Sequence, residues 1–405
     1  ADALYFIILL AGLAVLCVPF IKTPVLKACA GLGLRGGSLL AAAMLFGPAL
    51  FLLGCVSPFI VKLAFREQAR LGRTVGLLYA LSTAGSFAGT VLTGFFLIAW
   101  LGVDRIFQLT AAMLIGLAVA HFVFFGRRAL AVALLAIPVI AQPQAGPTTR
   151  VQRDGTVASL VHKRDSYYGS LRIIDYRFGD KHTREMAIDG LVQGGIDLRS
   201  GASVYEYSYL LRGLPVAFHP DGRDCLVIGR GLGAVPRWFA ARGIRTEAVE
   251  IDPAVVDVTT RYVGPLGIDR MHTADARQYL SRPGPAFDYI ILDAYTGDAT
   301  PAHLLSVEAL RQVRARLKPG GVVALNLHGS FSPQRRAMTL AVLRTVQAVF
   351  PDLRVYTAYD RAVPEAFGNV IVVAGERLPA QPDLRFITRE FVHPLAAAQV
   401  HASLL

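Results

Sequence analysis

Charged residues are scarce in this 405-residue sequence: Asp, Glu, Lys and Arg make up 17%, against 54% hydrophobic residues. This composition excludes an intrinsically disordered chain and is too apolar for one soluble globule. Cysteine is also scarce, with no CxxC pair and no histidine at zinc-ligand spacing; the four residues are Cys17, Cys29, Cys55 and Cys225. The sequence therefore predicts neither a disulfide framework nor a metal site.

Acidic residues are nearly missing from the first 150 positions, which hold 3 Asp and Glu against 11 Lys and Arg. The basic residues lie between long apolar segments, whereas a nucleic-acid groove would gather them on a soluble face with aromatic residues between them. Basic loops beside apolar segments are typical of contact with anionic lipid and the cytoplasm. We therefore expect a lipid bilayer as partner, and no nucleic acid.

Four apolar runs are long enough to cross a bilayer, which takes about 20 residues each. The sequence thus predicts a multi-pass helical membrane domain over residues 1–141, of the bacterial inner-membrane type. The first run lacks a basic leader and further runs follow it, so it is not a cleavable signal peptide. A fifth run, Ala129–Ala141, is short and contains Pro138, so it either crosses the bilayer thinly or lies at the interface. The four long runs are Leu4–Ile21, Leu39–Val61, Val75–Leu101 and Ile106–Phe125.

Two features of the spans bear on their partners and orientation. Gly85 and Gly89 form a GxxxG face, which favours packing within one helix bundle, with contact to another membrane protein as the alternative. Loop charge favours a cytoplasmic position for residues 62–73. The C-terminal domain is then cytoplasmic if the fifth run does not cross, and faces outward if it does. His121 lies inside a span, and the spans offer it no acidic or basic partner.

Beyond the spans the pattern changes to short hydrophobic runs separated by turn residues. Residues 142–155 are predicted to be a linker, 156–195 a β-hairpin subdomain, 196–380 an α/β domain and 381–405 a tail. In the hairpins we expect three strands, TVASLVHK, SLRIIDYRF and REMAIDGLV. The later alternation of strands with helices, one of which ends at Leu317, predicts a parallel sheet covered on both faces.

A glycine-rich turn, Gly229 to Gly233, follows the strand LVI and precedes a helix. Gly229, Gly231 and Gly233 are candidates for a close approach of backbone to ligand at a helix N-terminus. Glu250 ends the next strand, where a carboxylate can accept both hydroxyl hydrogens of a ribose. Asp275 follows the third strand, on the adenine side of such a crevice. The alternative is structural, with glycines for a tight turn and acids as helix caps.

The run LDAYTGD places Asp293 at the carboxyl end of a strand, where open α/β sheets bind ligands. Asp293, Tyr295 and Asp298 could form an acidic, hydrogen-bonding wall suited to an amine. Asp298 could instead only shape the loop before the next helix.

The region from about Ser166 to Val373 resembles the spermidine synthases, the polyamine aminopropyltransferases. The resemblance rests on the joint order of several motifs, and the spans before them resemble those of membrane-fused relatives, with GRTVGLLYALSTAGSFAGTVLTGFF as the clearest run. The motifs are IDGLVQ, YSYLLRGLP, VIGRGLGAVPR, AVEIDPAVVD, TADARQYL, FDYIILDAYTGDATPAHL and LKPGGVVALNL. This resemblance implies a Rossmann-like fold of the class I methyltransferase type.

The resemblance also implies functional roles. Decarboxylated S-adenosylmethionine would be co-substrate, without a metal, and a small amine such as putrescine would be acceptor in polyamine biosynthesis. Glu250 would bind the ribose hydroxyls, Asp275 the adenine, and Gln193 would lie along the nucleoside. Asp293 would be the catalytic base, and Tyr207 would line the amine channel.

Three positions depart from the family pattern, each by losing an acidic residue: Leu232 in the glycine-rich turn, Thr296 after the catalytic aspartate, unless a gap lets Asp298 replace it, and Tyr209 after the channel tyrosine. The first loss removes the partner of the donor's ammonium. Two alternatives therefore stand beside aminopropyl transfer. One is a methyltransferase that uses intact S-adenosylmethionine; the other is a domain without catalysis that serves as a binding or assembly module of a membrane complex.

Overall fold

The computed structural model describes residues 2–64, 71–125, 149–297, 299–360, 363 and 365–383. The chain divides into two compact units, the first made of Ala1–Gly146 with Asp165–Tyr167, the second of Pro147–Arg164 with Tyr168–Leu405. The predicted short run 129–141, the linker up to residue 148, Asp298 and the tail beyond residue 383 lie outside the described residues.

The described residues of the first unit form mainly apolar helices. Among them, four segments are long and apolar enough to cross a membrane: Asp2–Leu32, Arg35–Leu63, Val75–Leu97 and Val103–Phe124. In lipid a helix satisfies its own backbone groups, which suits these leucine-, alanine- and valine-rich runs. The helices are α1 (Asp2–Cys29), α2 (Gly33–Ala64), α3 (Leu71–Leu92), α4 (Ile98–Leu101) and α5 (Val103–Phe124), with a π-helical turn at Thr93–Leu97 between α3 and α4.

Helices α1 and α5 pack side by side in opposite directions, and a polar pair joins them near each end. His121 Nε2 lies 3.1 Å from Asp2 Oδ1, and the His121 ring stacks on Tyr5 at 3.8 Å. Lys22 forms an ion pair with Asp104 at the other end. The expectation that His121 has no acidic partner is therefore wrong, because antiparallel packing brings the first residue of α1 to the last turn of α5.

Helix α3 exposes its small-residue face. Within the described part of the chain, a Cβ added to Gly85 or Gly89 would meet no atom within 4 Å. The favoured packing of this face within one bundle is thus not seen among the residues described. Contact with another membrane protein stays a prediction.

The second unit begins with a five-stranded antiparallel sheet in the order β1-β2-β3-β4-β5. The predicted third strand is wrong, because it is interrupted between β4 and β5 at Asp189 and Gly190, with φ of 51° and 84°. An Asp-Gly pair with positive φ at both positions favours a tight hairpin turn. The strands are β1 (Thr149–Val151), β2 (Val157–Ser166), β3 (Gly169–Phe178), β4 (Lys181–Ile188) and β5 (Leu191–Asp197).

The remainder of this unit is an α/β domain around a seven-stranded sheet, in the order β11-β12-β10-β9-β6-β7-β8. Its helices are α6 (Tyr207–Phe218), α7 (Ala234–Ala240), α8 (Pro253–Val263), α9 (Ala276–Ser281), α10 (Val307–Ala315) and α11 (Arg336–Gln347). Its strands are β6 (Asp224–Ile228), β7 (Arg245–Glu250), β8 (Arg270–Thr273), β9 (Phe287–Leu292), β10 (Leu317–Gly329), β11 (Asp352–Thr357) and β12 (Gly368–Gly375). Leu317 thus begins a strand, whereas it was expected to end a helix.

The prediction of a parallel sheet is correct for five strands, and the sheet has two further strands that the sequence did not predict. Strands β8, β7, β6, β9 and β10 run parallel, whereas β12 pairs antiparallel with both β10 and β11. Parallel neighbours need a crossover of a dozen or more residues, usually a helix. Only residues 358–367 join β11 to β12. This connection is too short for a parallel crossover, so the two strands pair antiparallel.

Buried side chains lie on both faces of the seven-stranded sheet, and every residue of β6 and β9 is buried. One layer includes Leu211, Val227 and Phe239, and the other includes Ile228, Leu310 and Val323. This packing fixes the central strands, and therefore the residues at their carboxyl ends, in one arrangement.

Candidate active site

The predicted site residues meet at the carboxyl edge of the parallel strands. Ile228, the last residue of β6, pairs with Val249 on one side and Leu292 on the other. Glu250 and Asp293 are the next residues on those two strands, so they flank β6, at about 10 Å from each other by the spacing of strands. Asp275 follows β8, beyond Glu250. One edge of one sheet therefore carries all three carboxylates.

Asp293 is held from both its backbone and its side chain. Its N–H donates to the Ile228 carbonyl at 2.8 Å, and its Oδ1 accepts from Asn326 Nδ2 at 2.8 Å. Burial raises the pKa of Asp293 to about 6, and the hydrogen bond from Asn326 opposes that rise. A carboxylate with this pKa is largely ionised at neutral pH and can accept a proton.

The glycine-rich turn makes room for protein backbone as well as for a ligand. A Cβ on Gly229 (φ 92°) would lie 2.1 Å from the Asp293 carbonyl oxygen, and one on Gly233 (φ 84°) 2.2 Å from Leu266. Gly231 (φ 50°) has no atom within 4 Å of such a Cβ among the residues described. The expectation that all three glycines admit a ligand is therefore incomplete, because two of them are required by neighbours within the fold.

Glu250 faces the glycine-rich turn, and backbone N–H groups already occupy some of its hydrogen-bond acceptor sites. Its Oε2 accepts from the Arg230 N–H at 3.0 Å and its Oε1 from the Asp252 N–H at 3.1 Å. Burial raises the pKa of Glu250, against the effect of these N–H groups. The Ile251 N–H acts on Glu250 in the same direction. A carboxylate has about four lone-pair sites, so Glu250 keeps capacity for a further donor.

Asp275 caps a helix. Its Oδ1 accepts from the Gln278 N–H at 2.9 Å at the start of α9, as the structural alternative expects. Its Oδ2 lies 3.7 Å from His303 Nε2. The side chain is 39% exposed, so one oxygen remains accessible for a further partner.

Gln193 and Tyr207 join the antiparallel sheet to the edge that carries Asp293. Gln193 Nε2 donates to the Gly297 carbonyl at 3.1 Å, which ties β5 to the loop after β9. The Tyr207 hydroxyl, on α6, lies 3.5 Å from the Gln193 carbonyl. Burial, and then the charge of Asp293, raise the pKa of Tyr207 far above its usual range.

Tyr295 brings a second hydroxyl towards Asp293. The pKa of Tyr295 is raised, first by burial and then by the charge of Asp293. The side chains of Asn369 and Thr300 oppose this rise, although neither forms a hydrogen bond of good geometry with the buried hydroxyl. A buried hydroxyl that is not fully paired is costly, so this one is suited to bind a polar group of a ligand.

The three positions that depart from the family pattern differ in environment. Leu232 is 4% exposed and packs in a cluster with Leu171 and Val255, so it is a core residue of the contact between the two sheets. Tyr209 donates to the Ser203 carbonyl at 2.8 Å, and Thr296 N–H donates to the Ala299 carbonyl at 2.9 Å. At these three positions the structure thus shows core packing and loop hydrogen bonds.

Three further residues support the site and were missed from sequence. Asn326, on β10, is 1% exposed and bonds Asp293, while Asn369 Nδ2, on β12, donates to Asn326 Oδ1 at 3.0 Å. Arg230 is 5% exposed and donates to the Val256 carbonyl at 2.7 Å. The available signal was a polar residue inside the apolar strands GVVALNL and GNVIVVAG.

Comparison with known families agrees with this geometry. Residues 205–380 match the spermine/spermidine synthase domain. These residues form a spermidine synthase-like domain. Its fold is also that of a probable spermidine synthase from Corynebacterium glutamicum, with a TM-score of 0.50 and 21% identity, over 57% of this chain and 86% of that one.

Relatives above 30% identity include the following two proteins. The chain is 35% identical over 162 residues to an N-terminal histidine N-methyltransferase of Emericella nidulans, and 32% identical over 164 residues to a polyamine aminopropyltransferase of Vibrio vulnificus. The matches cover 37% and 39% of this chain, and only 28% and 52% of the two relatives. A polyamine aminopropyltransferase of Desulforudis audaxviator is 25% identical over 56% of this chain and 81% of its own length.

Proposed function

We propose that the protein transfers an aminopropyl group from decarboxylated S-adenosylmethionine to a small amine such as putrescine. The observation that carries the proposal is Asp293, a partly buried carboxylate at a strand end with a pKa raised to about 6. The spermidine synthase-like domain and the aminopropyltransferases among its relatives support the same reaction.

The reaction needs a base. Its acceptor is an ammonium with a pKa near 10, which cannot attack while its nitrogen carries the extra proton. Asp293 accepts that proton as the nitrogen bonds to the methylene carbon beside the sulfonium. The carbon–sulfur bond breaks at the same time, its electron pair goes to sulfur, and neutral methylthioadenosine leaves. Such base catalysis typically contributes about 10²- to 10⁴-fold in rate.

The other predicted residues bind the two substrates. Glu250 accepts the ribose hydroxyls with its remaining lone pairs, Asp275 accepts from the adenine amino group, and Gln193 lies along the nucleoside. The turn at Gly229, Gly231 and Gly233 gives the donor access to the strand edge. Tyr207 and Tyr295 line the amine side, where their neutral hydroxyls and rings accompany the carboxylate of Asp293.

The test is to identify the nucleoside product. The purified full chain is incubated with decarboxylated S-adenosylmethionine and putrescine, and separately with intact S-adenosylmethionine and putrescine, so that an amine acceptor is present in both mixtures. The products are separated by chromatography. Methylthioadenosine from the first mixture supports aminopropyl transfer. Absence of product from both mixtures contradicts it and favours a binding or assembly module without catalysis.

Methyl transfer is the second candidate, favoured by two observations. One relative is named an N-terminal histidine N-methyltransferase, and Leu232 provides no charge for a donor's ammonium. Intact S-adenosylmethionine carries a carboxylate that an acid at this position would repel. S-adenosylhomocysteine as the product of the second mixture, with no methylthioadenosine in the first, would identify this reaction.

We further propose that residues 1–141 anchor the domain in a membrane of the bacterial inner-membrane type, with residues 62–73 and the α/β domain in the cytoplasm. The length and composition of four helices support this. A cytoplasmic domain would have access to adenosyl donors. Protease treatment of sealed vesicles tests the side, since a cytoplasmic domain is cleaved only in inverted ones.

A further inference from the structure

We infer that Asn369 is a positioning residue for Asp293, acting through the side-chain amide of Asn326. The inference rests on the proposed role of Asp293 as base. It concerns how the fold keeps Asp293 oriented and ionised, which neither the proposed reaction nor the predicted site residues address.

The three side chains form a directed chain of hydrogen bonds. Asn369 Nδ2 donates to Asn326 Oδ1 at 3.0 Å, and Asn326 Nδ2 donates to Asp293 Oδ1 at 2.8 Å. A side-chain amide has an acceptor on one side and donors on the other, so fixing one side fixes the other. With its oxygen held by Asn369, Asn326 must present N–H to Asp293.

The fold makes this arrangement rigid. Asn326 is 1% exposed, in the interior of β10, and its backbone carbonyl accepts from Thr300 Oγ1 at 3.0 Å. Asn369 is on β12, which pairs antiparallel with β10 through a continuous register from Val322 to Gly329. A buried amide cannot exchange its partner for water, so loss of Asn369 leaves the Asn326 oxygen unpaired and removes the contact that fixes the orientation of the amide.

Rotation would turn the carbonyl oxygen of Asn326 towards Asp293. An N–H donor favours the ionised carboxylate, whereas a carbonyl oxygen favours the protonated acid. Asn369 therefore keeps Asp293 ionised at lower pH than burial alone would allow. This effect opposes the burial that raises the pKa of Asp293.

The other groups near Asp293 do not provide the same control. Tyr207 on α6 and Tyr295 after β9 interact with its charge, and burial raises the pKa of both, so they stay neutral over the range of interest. His328 on β10 faces the Tyr295 ring edge-on, with 6.2 Å between ring centroids. The measurement must therefore report on a carboxyl group and not on histidine.

The test is an infrared pH titration of the full chain, in which the carboxyl band of Asp293 is assigned by subtracting the spectrum of Asp293→Asn. Asn369→Val removes the donor, and Asn369→Asp, of nearly the same size, replaces it with an acceptor. We expect the Asp293 midpoint to rise by about one pH unit in each variant, and further in Asn369→Asp. Thr300→Val is the matched control, because it removes a hydrogen bond to Asn326 without touching its amide; its midpoint should stay at the wild-type value.

An unchanged midpoint in Asn369→Asp, with the thermal unfolding midpoint intact, would overturn the inference. If Asn369→Val fails to fold, Asn369→Leu, which is also uncharged and is close to Asn in size, takes its place, because the new charge in Asn369→Asp raises the Asp293 midpoint by itself. The titration does not depend on turnover: absence of methylthioadenosine would refute the proposed function, while a shifted carboxyl midpoint would still support the role of Asn369.

Discussion

At the scale of single residues, the properties of Asp293 follow from two opposing effects. Burial disfavours its charge, the donor on Asn326 favours it, and burial wins by enough to raise its pKa to about 6. The position of Asp293 could be predicted from LDAYTGD at a strand end, and so could the strand-end position of Glu250. The support from Asn326 and Asn369 could not, because residues 43 positions apart meet only once β12 has paired with β10.

The first residue-scale prediction concerns pH. A base must be ionised to accept a proton, so kcat/KM for aminopropyl transfer should fall as pH decreases through about 6, by about tenfold per unit below that value. Rates measured between pH 5 and 8 check this. A rate independent of pH over this range would exclude Asp293 as the base.

The second residue-scale prediction concerns stability. The pKa of Asp293 is higher in the folded chain than its value near 4 in the unfolded chain, so ionisation of Asp293 destabilises the fold. This destabilisation is complete above about pH 6 and absent below about pH 4. Asp293→Asn should therefore stabilise the domain at pH 7.5 by about 1–2 kcal/mol and raise its thermal midpoint by a few degrees. The gain is this small because the carboxylate is partly exposed and solvent screens its charge.

Asp275→Asn is the control for that measurement, because Asn caps a helix about as well as Asp. Its thermal midpoint should stay close to wild type. A midpoint of Asp293→Asn at or below the wild-type value would show that burial of this charge costs the fold nothing.

At the scale of elements, the turn after β6 is what positions the base. Gly229 adopts a φ of 92° and allows the backbone at Asp293 to approach closely, whereas Gly264, at the end of α8, has the same φ with open space around it among the residues described. Both would be strained by alanine. Only Gly229→Ala would also displace the Asp293 backbone.

We therefore expect Gly229→Ala to lower the rate of methylthioadenosine release by about 10²-fold, because a misplacement of about 1 Å can have that effect. Gly264→Ala adds the backbone strain without the close contact, so it should lose less stability and keep its rate within a few-fold of wild type. Steady-state rates and thermal midpoints of both variants check this. Equal losses of rate in both would mean that backbone strain, and not the position of Asp293, limits turnover.

Sequence patterns at this scale predicted the alternation of β6, α7, β7 and α8, and missed the turn at Asp189 and Gly190. The Asp-Gly signal was present, but the hydrophobic pattern of REMAIDGLV continues through it. The position of β12 between β10 and β11 could not be predicted, since strand order is decided by tertiary packing and not by local pattern.

At the scale of the whole molecule, the long hydrophobic runs strongly indicate membrane association. Four helices meet the length and hydropathy that a span requires. We expect the full chain to remain in the membrane pellet after alkaline carbonate washing and to enter solution only with detergent. Recovery in the carbonate supernatant would contradict membrane anchoring, and a peripheral membrane protein provides the control.

The most direct measurement of the central claim compares methylthioadenosine release by the wild-type chain and by Asp293→Asn at pH 8, with decarboxylated S-adenosylmethionine and putrescine saturating. Our account predicts that the variant still binds methylthioadenosine with nearly unchanged affinity and releases product at least about 10²-fold more slowly. Equal rates for the two proteins would contradict it.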